Sequence, residues 1–460
     1  MTESHARLTA SLCFDVEDIV APQADDAALW MAEELRASGL RGSFFVMGEL
    51  ARRWERRGRR DVIEAIRQHA VGYHSTWHSV RPTTTELLLE RDFASGIEAL
   101  RARDGQGWAE TERIVGTPLL GWGRTGNSWG PSVHGLMGEM GRAYVYSPVT
   151  APGADVCWYG GCLSFAGATV GGFDEDLRDD AAFERRLAET DRLLRRLVEQ
   201  GDPGQRWVCF FVCHPTRAVH DAFWDAVNFS RGACPPEAAW RPAPALRPEL
   251  LPVVKRNFAR LCGWIREHPL LDAVGWDEAI RRFGGQRARI AREEALQVAA
   301  RIARERRVAW GDGLSAAETL LLFGEATLGG PGPYPRRDVR GPVRTPPRWA
   351  GGRLPAEALR EAARALLATR PGACLPDAVT TCTGVVGIGT LLVAFADHLC
   401  GDAAPAGVAG EPYPAEADAI GAAVERAIPE WIVHPTDFDL TNLIEQTRLQ
   451  CWTLKPALRG

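Results

Sequence analysis

Over roughly the first 285 residues, short apolar runs alternate with helical patterns, the order expected when parallel strands are joined by helical crossovers. Leu8 to Phe14 reads as a first strand and Gly42 to Met47 as a second; between them Ala27 to Ser38 forms an amphipathic pattern that Gly39 ends. A helix follows over Asp61 to Gln68, and His69 to His74 leads into a loop. Further on, Arg142 to Ser147 and Trp207 to Val212 read as strands, with Asp180 to Glu199 a strongly amphipathic helix whose solvated side carries Glu184, Arg185, Glu189, Arg192 and Arg195. Residues 250–282 give helix, a last strand at Leu271 to Val274, then helix again. The pattern predicts an α/β barrel or a layered α/β sheet.

Near Gly285 the texture changes to Arg- and Ala-rich helix, which divides the chain into a first domain, 1–285, and a mainly α-helical second domain, 286–460. Residues 325–353 are dense in Gly, Pro and Arg and predict irregular loops. An Ala/Leu helix followed by Pro and a run ending in Val recurs at Leu314 to Val339, Leu354 to Val379 and Ala417 to Val433. The unequal spacing leaves a repeat and a chance likeness of Ala-rich helices equally open.

Composition narrows the function classes. A chain of 460 residues exceeds what one core usually holds, and 45% apolar with 25% charged residues is an ordinary globular balance. The net charge of -5 provides no basic field for nucleic acid or an anionic membrane, and no apolar run is long enough to span a bilayer. Met1 to Ala10 is polar and lacks the apolar core of a secretory signal, so a cytoplasmic location is expected. The 11 cysteines are scattered without a CxxC pair, as suits buried thiols better than a disulfide framework or a zinc ribbon.

The chemistry concentrates in Gly72-Tyr73-His74-Ser75-Thr76-Trp77-His78-Ser79, where imidazoles four residues apart would lie on one side of a helical turn and reach one divalent ion. Phe14-Asp15-Val16-Glu17-Asp18 puts three acids at the end of the first strand, where ligands collect in parallel α/β folds. Burying three acids is costly without a cation or donors. Favouring the next helix's dipole would explain one of them, not all. The strand Trp207 to Cys213 runs directly into His214-Pro215, and His220 and Phe223 to Phe229 follow as a lid, a specificity loop or packing.

The order Phe14-Asp15, then Gly42-Ser43-Phe44-Phe45-Val46-Met47-Gly48-Glu49, then His74 to His78, resembles the polysaccharide deacetylase family, carbohydrate esterase family 4, over roughly residues 8–282. The resemblance implies a distorted (β/α)7 barrel with its site at the strand C-termini, Asp15 as catalytic base, His74 and His78 as metal ligands and His214 as general acid. For the third ligand it leaves Glu17 and Asp18 both open: strand alternation puts Glu17 beside Asp15, while a turn would let Asp18 swing in. Where the family has Arg-x-Pro-Tyr, this chain reads Val115-Gly116-Thr117-Pro118-Leu119-Leu120. The arginine that would orient the base is absent there, and Arg124 is a candidate to reach the site from elsewhere. Trp77, Trp122 and Trp129 are candidates to line the substrate cleft beside it, with packing as the alternative reading of such large aromatics.

Together these residues predict a metal-dependent hydrolase of a non-peptide C–N bond, with zinc the expected ion and an acylated amino sugar or other small amide the expected substrate. A cyclic amide or imide, and a binding protein without catalysis, are the competing readings. The second domain shows no chemical motif: His434-Pro435-Thr436 repeats the letters of His214-Pro215-Thr216 without partner acids. Substrate binding, a lid, or association into a homo-oligomer are all open to it.

Overall fold

The computed structural model describes residues 7–171, 173–309, 311, 313–401 and 411–459. Strand β1 (Leu8–Val16) is buried at every position, as a strand covered on both faces must be. After it come β2 (Ser43–Val46), β3 (Ala70–Tyr73), β4 (Gly121–Gly123), β5 (Ala143–Val145), β6 (Val156–Tyr159), β7 (Cys162–Phe165), β8 (Ala168–Gly171), β9 (Trp207–Cys213) and β10 (Leu271–Ala273). The remaining strands are β11 (Arg289–Ile290), β12 (Tyr334–Pro335), β13 (Ala378–Thr381), β14 (Gly384–Gly387) and β15 (Lys455–Pro456).

The main sheet runs β15-β6-β7-β5-β4-β3-β2-β1-β9-β8, with β10 paired to the start of β1. From β7 through β1 to β8 every ladder is parallel, and β6 and β15 are antiparallel additions at one end. Only Ala166 and Gly167 separate β7 from β8, yet β7 pairs with β5 at one end of the parallel series and β8 with β9 at the other. The sheet therefore curls until its ends meet along this segment. Gly167 permits the junction, because a Cβ there would stand 2.2 Å from the Trp207 carbonyl oxygen.

Alternation along β1 divides the core. Leu8, Ala10, Leu12 and Phe14 face the surrounding helices, whereas Cys13 joins Phe45, Phe165, Trp207 and Trp276 in a cluster inside the curl. Asp15, two residues beyond Cys13, continues that inner row. Among the crossovers, the helix expected from Ala27 begins at Gln23, because Asp25 and Asp26 suit a helix's first turn. The amphipathic helix Asp180–Glu199 has the bounds its charges predict.

Beyond residue 285 helices predominate. Arg292–Glu305, Ala316–Thr327, Ala356–Leu367 and Ile388–Leu399 contribute to an apolar core of their own. Helices Ala417–Ala427 and Thr441–Gln450 return instead to the first core, through Ile420, Val424 and Leu443, and β15 joins the main sheet. The Ala/Leu echo thus places its first two helices in one core and its third in the other. Among the described residues no helix is long and apolar enough to cross a membrane.

Candidate functional site

Strand register gathers the candidate residues. Phe14 lies opposite Cys213 across the β1/β9 ladder, so the next residues, Asp15 and His214, emerge side by side. Val46 pairs with Val16 on one side and with Tyr73 on the other, which brings Glu17 and His74 to the same level. Arg124 follows β4, Tyr146 follows β5 and Asp174 lies just beyond β8. All stand at the C-terminal ends of parallel strands, where such sheets bind ligands. They open into a cavity of about 510 Å³ lined by Asp15, Glu17, His78, Arg124 and His214, among others.

The segment from His74 to His78 is not the helical turn the spacing predicts. It is a loop with Ser75 and His78 in the left-handed region, at φ 56° and 49°. Buried donors and acceptors hold it there: Gly48 N–H donates to the Ser75 carbonyl at 2.8 Å, Thr76 N–H to Asp104 Oδ1 at 2.7 Å, and His78 N–H to Ser75 Oγ at 2.9 Å. Strained φ values of this kind cluster where function needs them. The imidazoles still converge, with ring centroids 5.1 Å apart.

Tautomers follow from the partners. His74 Nδ1 lies 3.1 Å from the Gly123 carbonyl oxygen, which can only accept, so Nδ1 carries the proton and Nε2 a lone pair. Ser79 Oγ donates to Asp225 Oδ2 at 2.9 Å and therefore accepts from His78 Nδ1 at 2.6 Å, leaving the His78 Nε2 lone pair free in the same way. Both Nε2 atoms point at Glu17 Oε2, at 3.4 Å from His74 and 2.8 Å from His78. Both are buried and, among the described residues, without a hydrogen bond, as is Asp15 Oδ1. Two lone pairs directed at a carboxylate repel it unless a cation lies between. Protonation of His78 would account for one imidazole only. The ligand atoms of Glu17, His74 and His78 lie within 4.8 Å of one another, so the donor set fits a divalent ion.

Asp15 Oδ2 stands 3.7 Å from His74 Nε2 and 3.9 Å from His214 Nε2. Burial pushes its carboxyl upward against the pull of His74 and His214. Burial acts the same way on Glu17, but His78 and His74 overcome it and hold the group well below the usual range. His214 donates its backbone N–H to Asp174 Oδ1 at 2.8 Å and holds Nδ1 2.9 Å from Asp174 Oδ2.

The other sequence candidates divide. Asp18 is outside the cluster: its oxygens accept from the Val20 and Ala21 N–H groups and from Thr216 Oγ1 at 2.7 Å. It caps a turn, and its oxygens are turned to that turn and to Thr216, away from the ligand atoms of Glu17, His74 and His78. Trp122 packs edge-on to Tyr73 in the core, and Trp129 packs on His134 and Tyr159, so neither lines the cavity. Trp77, within the loop, is half-buried and also off the cavity wall. Its aromatic wall is instead Phe223, edge-on to His214 at 4.6 Å, and Trp431, edge-on to His78 at 5.5 Å. Asp174 and Trp431 escaped the sequence reading because each stands in no motif, and Asp225 lay within the Phe223 to Phe229 run read as a lid, a specificity loop or packing, without a role of its own. His434 lies behind Trp431 with Nδ1 on the Ile428 carbonyl, away from the cavity.

No protein-family model and no curated protein matches the sequence. Solved structures similar to the chain include a T48 deacetylase with substrate, 13% identical, with a TM-score of 0.32 over 60% of this chain and 91% of that one. A chitin deacetylase from Colletotrichum lindemuthianum is 15% identical, with a TM-score of 0.28 over 46% and 76%. A CE4 family pseudoenzyme from Bacillus anthracis is 12% identical, with a TM-score of 0.27 over 47% and 58%. Similarity at this level bears on neither activity nor substrate, so the functional reading rests on the geometry of the site.

Proposed function

We propose that the chain is a metal-dependent hydrolase of a C–N bond, acting on an acylated amino sugar or another small amide on a deacetylase-type barrel. The observation that carries this reading is the pair of buried Nε2 lone pairs aimed with Glu17 at one point, beside an acid and a third imidazole whose Nε2 stands 3.9 Å from that acid. Glu17, His74 and His78 would hold the ion, and two imidazoles with one carboxylate suit zinc, with cobalt, nickel or iron as alternatives. When bound, such an ion polarises a carbonyl and makes water acidic enough to attack near neutral pH.

The chain's own residues supply the proton transfers. Asp15, with Oδ2 3.7 Å from His74 Nε2 and Oδ1 without a hydrogen bond among the described residues, takes a proton from the attacking water. His214, across from Asp15 and backed by Asp174, gives a proton to the leaving nitrogen, which departs poorly as an anion. Phe223 and Trp431 narrow the cavity around the reacting group. The reading assigns catalysis to residues 1–285 and a supporting role to 286–460, apart from the stretch around Trp431 that reaches the cavity.

Elemental analysis of purified protein tests it. The full chain should carry close to one equivalent of zinc or a related ion, and the double variant His74→Ala, His78→Ala should carry almost none while keeping its far-ultraviolet circular dichroism. Equal metal in both proteins would sink the proposal.

A further inference from the structure

We propose that the same cavity holds an anion subsite built on Arg124 and Asn127, so that the substrate is an amide bearing a carboxylate; the inference rests on the hydrolase reading. Arg124 leaves β4 with its backbone N–H donated to the Val145 carbonyl at 3.3 Å, and a tight turn closed by the Thr125–Ser128 bridge follows, with Gly126 at φ 51°. Trp431 covers this turn so closely that a Cβ on Gly126 would stand 2.3 Å from its ring. The turn offers the cavity a guanidinium and a carboxamide from positions three residues apart.

Among the described residues the guanidinium forms no ion pair. Arg124 Nε is buried without a hydrogen bond among the described residues. The nearby acid, Asp15, turns its Oδ2 to His74 and His214 instead. Burial draws the guanidinium's pKa down, opposed by Tyr144, Asp15 and Tyr146, but arginine remains a cation. Of the other acids on the wall, Glu17 faces His74 and His78, Asp225 is taken by Ser79, and Glu430 is exposed at the rim, where water screens it. A half-buried cation whose Nε is sealed from water and unbonded is completed by an anionic ligand, and the planar fork of a guanidinium matches a carboxylate. One guanidinium with one neutral amide balances a single negative charge, which favours a carboxylate over a doubly charged phosphate.

The test uses the full-length, zinc-loaded protein with a series of N-acetyl amino acids and, for each, the matching carboxamide, read by calorimetric binding and by steady-state hydrolysis. The acids should bind at least tenfold tighter than the amides, with the difference in KM rather than kcat. Arg124→Gln should erase that preference and Arg124→Lys should keep part of it, with zinc content unchanged in both. Three results would overturn the subsite: equal binding of acids and amides, including no binding by any acid; a preference that survives Arg124→Gln; or a loss of kcat in Arg124→Gln that is the same for acids and amides. Binding that depends on Arg124 without any turnover would instead uphold the subsite and count against the hydrolase reading.

Discussion

Asp174 holds His214 at two points, accepting its backbone N–H at 2.8 Å and facing its Nδ1 at 2.9 Å. Burial alone would lower the imidazole's pKa, but Asp174, with Glu17 and Asp15 behind it, raises it to about 10. A general acid works only while protonated, so the rate should fall as pH rises through that value; a cation at Glu17 pulls the limb somewhat lower. Asp174→Asn removes the largest raising influence, so the alkaline limb of kcat/KM should move to lower pH. From the new limb up to the old one, the variant's rate should fall behind the parent's by about tenfold per pH unit. The acidic limb, set by Asp15, should stay in place. A pH profile with an unmoved alkaline limb would separate Asp174 from the acid's function.

The His78–Ser79–Asp225 chain makes a different prediction, for affinity rather than rate. Ser79 Oγ accepts a hydrogen bond from His78 Nδ1–H and donates its own to Asp225, which fixes the tautomer that exposes the Nε2 lone pair. Partners of this kind typically contribute 10- to 100-fold to metal affinity. Asp225→Asn frees Ser79 to donate back to His78, and zinc affinity measured by competition with a chelator should fall by about that factor. Unchanged affinity would mean that the imidazole's orientation comes from the loop alone.

How far the sequence carried these expectations depended on whether neighbours in space were neighbours along the chain. Asp15, Glu17, His74 and His214 each sit at or just beyond the end of an apolar strand, and His78 follows His74 at the spacing of a ligand pair, so the strands and their order were readable. The Glu17 or Asp18 choice was not, because it turns on Asp18 finding Thr216, 198 residues away. The tryptophans misled for the opposite reason: Trp122 and Trp129 stand among Gly and polar residues along the chain, but the strands and helices around them close over both. Nothing in the composition of residues 411–459 marks their return to the main sheet, since β15 is a two-residue pairing and Ile420, Val424 and Leu443 would serve any helical core.

Gly107 offers a way to disturb the loop from His74 to His78 from behind. It lies in the helix Phe93–Val115, and a Cβ there would stand 2.4 Å from Thr76 Oγ1 and 2.6 Å from the Tyr73 hydroxyl, whose mutual hydrogen bond of 2.6 Å supports the loop. Helix propensity alone would make Gly107→Ala stabilising by up to about 1 kcal/mol. Overpacking at a buried site typically costs about 1–3 kcal/mol, so the sign should reverse. Chemical denaturation should show net destabilisation, and zinc affinity should weaken through displacement of His74 and His78. A more stable variant with full affinity would show that the loop yields without cost.

Trp431 supplies the last prediction, because it is the point at which the end of the chain meets the chemistry. Its ring lies 5.5 Å from that of His78 and 4.9 Å from that of His434, and its segment is pinned by Arg231 N–H on the Ile432 carbonyl at 2.7 Å and Gly232 N–H on the Val433 carbonyl at 2.9 Å. Those pins are backbone bonds, so Trp431→Ala should leave the segment in place and remove only the wall. The ring is half-buried, and its loss should cost about 1–3 kcal/mol, less than a fully buried tryptophan. No ligand atom is touched, so zinc content should not change. With the wall gone, KM for acetyl substrates should rise, and the ratio of kcat/KM for a bulky acyl group over acetyl should increase by about tenfold, the scale on which pockets discriminate small differences in apolar size. If the ratio stays constant while KM rises, Trp431 acts only by shielding the imidazole from water; if neither moves, the carboxyl-terminal segment has no part in selecting the substrate.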